Sequence, residues 1–508
     1  MTNSFANAAH RASNQKLTAN GAHAFASTGN ALVDMFASIG AMRAASNTTI
    51  QTMMAEAFSQ DPLLATKMMF YTRDIRGERV GKGERDTFRI LLAWMAKYHP
   101  DIVKLNIPLI GVYGRFDDLY TLVGTTCEND MWQYVNELLQ QDIAHMRYNK
   151  SHPDKAKKPC SLLAKWLKSV RTSSKATSKL GKLTAKKLGM TQKAYRSTLS
   201  EIREYLPVVE SLMSTNRWDE IDYEHIPSMA MKTYRAAFAK HDVNQKFSDY
   251  KEAVKRGEAK INASTLFPYD IVGPYLDYDA KPDDDIIEAQ WKAMPDYVAD
   301  DVNAIVICDT SGSMEQTVNN VHALPQKAAF GLTLYFAEHN TGAWHNLFMT
   351  FSTRPKFASV KGNTLKQKIH SLNRDDWGMS TNLQRAFELV LNTAVKNNVP
   401  ADEMPKALIV ISDMQIDSCD ATRDKDFYTV MRAKFVAEGY EIPHIIFWNV
   451  NAQKPTMLTD DTKRPGVQLI SGLNAKTFAE IIDNASADAE TLMMNCLTNP
   501  RYDDVVIA

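Results

Sequence analysis

Residues 305–313 read Ile-Val-Ile-Cys-Asp-Thr-Ser-Gly-Ser. An unbroken apolar run that ends in Asp309-x-Ser311-x-Ser313 predicts a buried strand opening into a polar loop at its carboxyl end. Open α/β sheets bind ligands at that edge. Hard oxygen donors without imidazole or thiolate suit Mg²⁺, Mn²⁺ or Ca²⁺ rather than zinc or copper. Taken alone, the same five residues, Asp-Thr-Ser-Gly-Ser, also fit a helix cap and turn.

Two later segments extend the pattern. Residues 378–382, Gly-Met-Ser-Thr-Asn, precede a helix whose apolar face is Leu383, Phe387, Val390 and Leu391. Residues 408–413, Leu-Ile-Val-Ile-Ser-Asp, form a second apolar strand ending in Asp413. Asp309, Ser311, Ser313, Thr381 and Asp413 are therefore expected on sheet-edge loops, two acids and three hydroxyls around one divalent ion, with water completing its shell. Around them strands are predicted at 303–308, 345–352, 407–412, 443–449 and 467–470, and helices at 322–339, 363–372, 382–396, 427–439 and 475–483. That alternation predicts a mostly parallel, doubly wound sheet over 301–508. Asp417 and Asp420 read as solvated loop acids, and His345 and His444 as packed histidines.

The amino-terminal half has a different grain. Residues 1–28, rich in Ala, Asn, Ser and Thr, read as a flexible arm. Apolar residues recur at helical steps over 86–98, 131–145, 192–212 and 229–256, so 29–272 is expected to be an α-helical solenoid, although no repeat is legible in it. Residues 147–196 hold 15 Lys/Arg against one acid, Asp154. The stretch 273–300, with Gly273-Pro274 and acids at 283–285, reads as a solvated linker ending in a short helix near Trp291.

The 508 residues exceed one core. Net charge is zero, divided as +5 over 1–300 and −5 over 301–508. The five cysteines are scattered and include no C-x-x-C pair, which argues against a disulfide scaffold or structural zinc and suits a reducing cytoplasm. No long apolar segment or signal-peptide core is present, so a soluble, cytoplasmic protein is expected; a monomer is a separate expectation.

Asp309, Ser311, Ser313, Thr381 and Asp413 match, in order, the metal-ion-dependent adhesion site of the von Willebrand factor A family, which 301–508 resembles. The resemblance implies that the serines and threonine contact the metal and that the aspartates help directly or through water. The amino-terminal half is similar to the TROVE module of Ro ribonucleoproteins, a HEAT-like helical ring, and more closely to relatives of uncharacterised function in plants, bacteria and viruses. The phrases that carry this are Thr28-Gly29-Asn30, Asp61-Pro62-Leu63-Leu64-Ala65, Arg73-Asp74-Ile75-Arg76-Gly77, Gly81-Lys82-Gly83-Glu84-Arg85, the seven residues from Tyr113 to Leu119, Ile226-Pro227-Ser228 and Tyr234-Arg235. Such proteins pair the ring with a carboxyl-terminal A domain, the order found here, and bind small structured RNAs and single-stranded ends.

That likeness implies RNA binding. Lysines and arginines neutralise phosphates and release counterions. The basic run supplies Lys165, Lys168, Arg171, Lys175, Lys179, Lys182, Lys186, Lys187 and Arg196, with Tyr148, Trp166 and Tyr195 as stacking faces. The bland reading is a solvated loop. Arg73, Arg76, Lys82 and Arg85 are further candidate phosphate contacts, although 77–85 lacks the Ser or Thr of a phosphate loop. No Ser-His-Asp order or zinc motif points to an enzyme. The expected function is a non-catalytic RNA-binding protein; the alternative is an adaptor whose metal site captures a partner protein's carboxylate.

Overall fold

The computed structural model describes residues 14–206, 208–277, 284–299, 302–351, 354–372, 381–417 and 427–507. The chain divides into two compact units, Met1–Thr87 with Ala263–Asp503, and Phe88–Asn262 with Asp504–Ala508. The sequence instead predicts one helical domain over 29–272 and a separate sheet domain from 301.

The first unit opens with an antiparallel hairpin, β1 (Gln15–Leu17) and β2 (His23–Phe25), where the sequence predicts a flexible arm. Three helices follow: α1 (Ala31–Ile39), α2 (Asn47–Gln60) and α3 (Pro62–Arg73). Asn30, Ser46 and Asp61 cap them by accepting backbone N–H groups of the first turn. Every residue of α1 from Leu32 to Ile39 is buried. A helix apolar on all sides needs cover on all sides, and α1 finds it on the sheet described below. This is the physical reason that 31–73 leaves the helical domain predicted for it.

The second unit is helical throughout its described residues: α4 (Arg85–Tyr98), which starts at the boundary, α5 (Pro100–Tyr113), α6 (Glu128–Ser151), α7 (Leu163–Trp166), α8 (Lys175–Lys187), α9 (Gln192–Arg203), α10 (Val209–Ser214), α11 (Ser228–Lys240) and α12 (Lys246–Lys255). Met131, Val135, Leu139, Ile143 and Met146 form the buried stripe of α6. The helix predicted over 229–256 is split, because Asn244 and Gln245 adopt φ of 55° and 62°, the left-handed region. Within the basic segment, α8 is seated by small residues. A Cβ on Gly181 would stand 2.5 Å from the Ser169 carbonyl, and Thr184 shares a 2.9 Å hydrogen bond with the Tyr120 hydroxyl.

The rest of the first unit holds α13 (Pro268–Leu276), α14 (Asp284–Lys292), β3 (Ala304–Asp309), α15 (Leu324–His339), β4 (Leu347–Phe351), β5 (Phe357–Ser359), α16 (Leu365–Ser371), α17 (Leu383–Asn397), β6 (Ala407–Ser412), α18 (Phe427–Ala437), β7 (His444–Asn449), β8 (Val467–Ser471), α19 (Lys476–Ile482) and α20 (Ala489–Leu497). The supposed linker is thus partly core: Ile286, Ile287 and Trp291 of α14 are buried, because its apolar residues recur at helical spacing behind the acids. Residues 278–283 lie outside the described residues.

The strands form one sheet in the order β5-β4-β3-β6-β7-β8, parallel except for β5. Among the parallel strands the chain starts in the middle, steps to β4, then reverses through β6, β7 and β8. The strand order therefore switches direction between β3 and β6, where Val306 pairs with Ile409. A doubly wound sheet leaves its ligand crevice at such a switch. Helix α15 packs on β3, β4 and β6, and α1 on β7 and β8.

The glycine-rich stretch 77–85 is a clasp inside this unit. Lys82 and Glu480 of α19 form an ion pair at 2.5 Å with both side chains 0% exposed. Glu480 also accepts from the Tyr71 hydroxyl at 3.0 Å and the Gly81 N–H at 3.2 Å, and Lys82 donates to Thr477 at 3.0 Å. Gly81 has φ of 100°, and a Cβ there would meet the Asp74 carbonyl oxygen at 2.4 Å, so only glycine fits. Lys82 and the buried Arg73 are structural and not the phosphate contacts that the sequence suggests.

Candidate metal centre and candidate nucleic-acid interface

β3 and β6 run side by side, with Cys308 opposite Ile411, so their carboxyl ends deliver Asp309 and Asp413 to the same edge. Both strands are apolar until their carboxyl ends, where β3 closes on Asp309 and β6 on Ser412, followed directly by Asp413. Asp309 is fully buried; its Oδ1 accepts the Ser311 N–H at 2.9 Å and its Oδ2 the Ser412 hydroxyl at 2.5 Å. The Ser311 and Ser313 hydroxyls are 3.0 Å apart, and Asp413 Oδ1 accepts the Gln415 N–H at 3.1 Å. Met414, next in the chain, takes φ of 63°, an uncommon conformation for a side-chain-bearing residue.

Burial weighs on both carboxylates in this setting. Burial, then the nearby Asp413 charge, pushes Asp309 up to about 7, against the Ser412 and Ser311 hydrogen bonds. Asp413 is also raised, chiefly by burial. A hard divalent cation between the two acids would remove the repulsion and offset the desolvation. The donor set fits such an ion. Among the described residues no group of three or more His, Cys, Asp or Glu is placed to hold a metal, so the hydroxyls of Ser311, Ser313 and Thr381 would have to serve as ligands.

Thr381 joins the edge through a second layer. Its N–H donates to Asp417 Oδ2 at 2.6 Å and its hydroxyl to the Gln415 carbonyl at 3.1 Å, while the Asp417 N–H donates back to that hydroxyl at 3.0 Å. Asp417, which the sequence suggests is a solvated loop acid, instead fixes Thr381. Asp420 and residues 378–380 lie outside the described residues. Neither Asp417 nor Gln415 is distinguishable in sequence from ordinary loop residues. His345 is exposed and His444 only partly buried, each bonded to a backbone carbonyl at 2.9 Å, so neither is a packed core histidine.

The nine basic residues divide into two sets. Lys165 pairs with Glu210 at 3.3 Å, Lys168 with Asp117 at 3.4 Å and Lys187 with Glu128 at 2.9 Å. Arg171, Lys175, Lys179, Lys182, Lys186 and Arg196 are exposed, and no ion pair among the described residues involves them. On α8, Lys175, Lys179, Lys182 and Lys186 fall at steps of four, three and four, one solvent-facing stripe opposite the buried Gly181, Thr184 and Ala185. At about 1.5 Å per residue the stripe runs roughly 16 Å. The expected stacking faces are mostly unavailable. Tyr195 is fully buried and donates to the Lys168 carbonyl at 3.0 Å, Trp166 lies under Arg115 at 4.1 Å, and Tyr148 stacks on His152 at 4.4 Å. No described helix is long and apolar enough to cross a membrane.

Residues 303–500 match a family described as a domain of unknown function, DUF7788. A second family of that description, DUF2828, matches 18–158 and 149–303. The chain is 26% identical to the uncharacterized protein L728 of Acanthamoeba polyphaga mimivirus, over 95% of this chain and 87% of that one. A solved structure, the Deinococcus radiodurans RO (RSR) protein, aligns with 89% of this chain and 99% of its own at a TM-score of 0.43 and 14% identity. With more than half of its length matched, the chain belongs to the DUF2828 family.

Proposed function

We propose that this is a non-catalytic RNA-binding protein that holds a hard divalent cation, Mg²⁺ by preference, at the switch point of its sheet. The observation that carries the first half is the α8 stripe: four lysines on one face of a helix, all exposed and none paired with an acid among the described residues. Lysines spaced about 5–6 Å apart along a helix suit successive phosphates of a strand and need no base readout. Arg171 and Arg196 extend the same basic segment. The sequence resemblance to TROVE proteins favours RNA over DNA. The second half rests on Asp309 and Asp413, two buried acids brought to the edge where such sheets bind ligands.

Binding should be salt-sensitive. The affinity of the full chain for a small hairpin RNA with a single-stranded end, measured across a salt series, should fall steeply. Reversing Lys175, Lys179, Lys182 and Lys186 to Glu should weaken binding by more than about a hundredfold and flatten the log–log salt slope by about three. An unchanged slope would return the stripe to plain solvated surface. The half-buried Ser313 favours a second reading, in which the cation accepts a carboxylate from a partner protein. Complexes that survive nuclease but not chelator would favour that adaptor.

A further inference from the structure

The hairpin β1–β2 lies against two loops that leave the carboxyl edge of the sheet, both in its own unit. On one side Phe25 and Met457 exchange both backbone hydrogen bonds, at 2.8 and 3.0 Å, and Lys16 donates to the Pro455 carbonyl. On the other side the hairpin turn holds residues 415–417. Thr18 donates its hydroxyl to the Ile416 carbonyl at 2.5 Å, the Ala19 N–H donates to Gln415 Oε1 at 2.7 Å, and Asn20 Nδ2 donates to the Gln415 carbonyl at 2.6 Å. Gly21 and Asp417 form an antiparallel bridge.

The same loop residues hold the candidate cation ligands. The Gln415 N–H donates to Asp413 Oδ1 at 3.1 Å, and the Gln415 carbonyl that accepts from Asn20 also accepts from the Thr381 hydroxyl at 3.1 Å. Asp417 bridges Gly21 on one side and donates its N–H to the Thr381 carbonyl at 2.9 Å and hydroxyl at 3.0 Å on the other. Gln415 is thus hydrogen-bonded to the hairpin and to candidate ligands, and Asp417 is paired with Gly21 on one side and bonded to Thr381 on the other. The turn is itself stiffened, since the buried Thr18 hydroxyl accepts the Ala22 N–H at 2.9 Å.

We propose that the amino-terminal hairpin is a positioning strap for the cation site, with Thr18 and Asn20 setting where Thr381 and Asp413 stand. The inference rests on the cation reading above and adds to it the residues that tune affinity. Ligands of a hard ion must be held within about half an ångström of their places. Here that constraint comes from a segment nearly 400 residues away in sequence, 398 for Thr18 and Ile416.

The test uses the full chain, with Mn²⁺ uptake followed by electron paramagnetic resonance and Mg²⁺ by calorimetry. Thr18→Val and Asn20→Ala should each weaken cation binding about fivefold, the size of one lost hydrogen bond. Thr18→Ser should restore it, and Asp309→Ala should abolish it. In chelator, the Asp417 amide should exchange with deuterium faster in both weakened variants, while the global unfolding midpoint of Asn20→Ala stays near that of the wild type. Wild-type cation affinity in both variants, with Asp417 exchange unchanged, overturns the strap and leaves the cation reading standing. No Mn²⁺ uptake by the wild type overturns the cation reading and the strap with it. Asn20 is exposed, so its variant keeps the test decisive even if Thr18→Val fails to fold.

Discussion

The carboxyl edge of the sheet and the outer face of α8 hold charge in opposite ways. At the edge, Asp309 and Asp413 are buried, burial raises the proton affinity of both, and the Asp413 charge raises that of Asp309 further. On α8, four lysines stand in water, separated by turns of helix and unpaired among the described residues. The difference teaches where selectivity resides. A buried pair carries a standing electrostatic penalty that only a small, suitably charged ligand can relieve. An exposed stripe carries no such penalty and tolerates many partners, at the cost of sensitivity to salt.

The contrast can be broken most forcefully through the buried clasp. Glu480→Ala leaves Lys82 fully buried and without its ion-pair partner, and should lower stability by about 3–5 kcal/mol in urea unfolding. Lys182→Glu on the exposed stripe should change stability by less than about 0.5 kcal/mol. Similar losses in the two variants would erase the distinction between buried and exposed charge.

A smaller effect sharpens the edge itself. Asp309 is raised from 3.8 to about 7 in the folded chain. Below about pH 4 the folded and unfolded chains both hold this proton. Between about 4 and about 7 the folded chain keeps it while the unfolded chain has released it, so stability falls as pH rises through that window. Thermal unfolding in chelator at about pH 5 and about pH 7.5 should show this fall in the wild type and much less of it in Asp309→Asn. An identical slope in both would mean that the carboxylate is not under the pressure described.

The smallest effect lies on the basic helix. Lys187, unlike its neighbours on the stripe, pairs with Glu128 at 2.9 Å, and that lysine, the Gly124 N–H and the Trp132 indole hold the Glu128 carboxyl down to about 2. Lys187→Ala should let Glu128 titrate closer to the ordinary range, as read by nuclear magnetic resonance, yet cost less than about 1 kcal/mol of stability. A larger cost would mean that the helix depends on its surface charges rather than on the small residues beneath it.

Much of the sheet was legible because its strands are buried on both faces. Runs such as 305–308 and 408–411 have few other ways to satisfy their apolar side chains, and all five predicted strands lie within two residues of their positions in the sheet. The short antiparallel β5 has no comparable signal: exposed and partly buried residues alternate over only three positions. The β1–β2 hairpin and helix α20 are absent from the sequence-based expectations, and for the hairpin the reason is length. The hairpin strands are three residues each, too short for a period of two to stand out. Asp309, Ser311 and Ser313 are tied together by direct hydrogen bonds at the edge, while Asp413 is held by Gln415 and Thr381 enters through Gln415 and Asp417, which no local pattern distinguishes.

The sequence by itself determined the alternation of strands and helices, the two acids at strand ends and the lysine spacing on α8, because each depends on residues near one another in the chain. Only the tertiary structure decided that 14–87 belongs with the sheet, that Lys82 is an internal clasp and not a phosphate contact, and that the first described residues hold the loop beside Asp413. Those outcomes depend on which distant surface buries a helix or satisfies a stray hydrogen-bonding group. Closure over some 400 residues leaves no periodic trace in the intervening sequence.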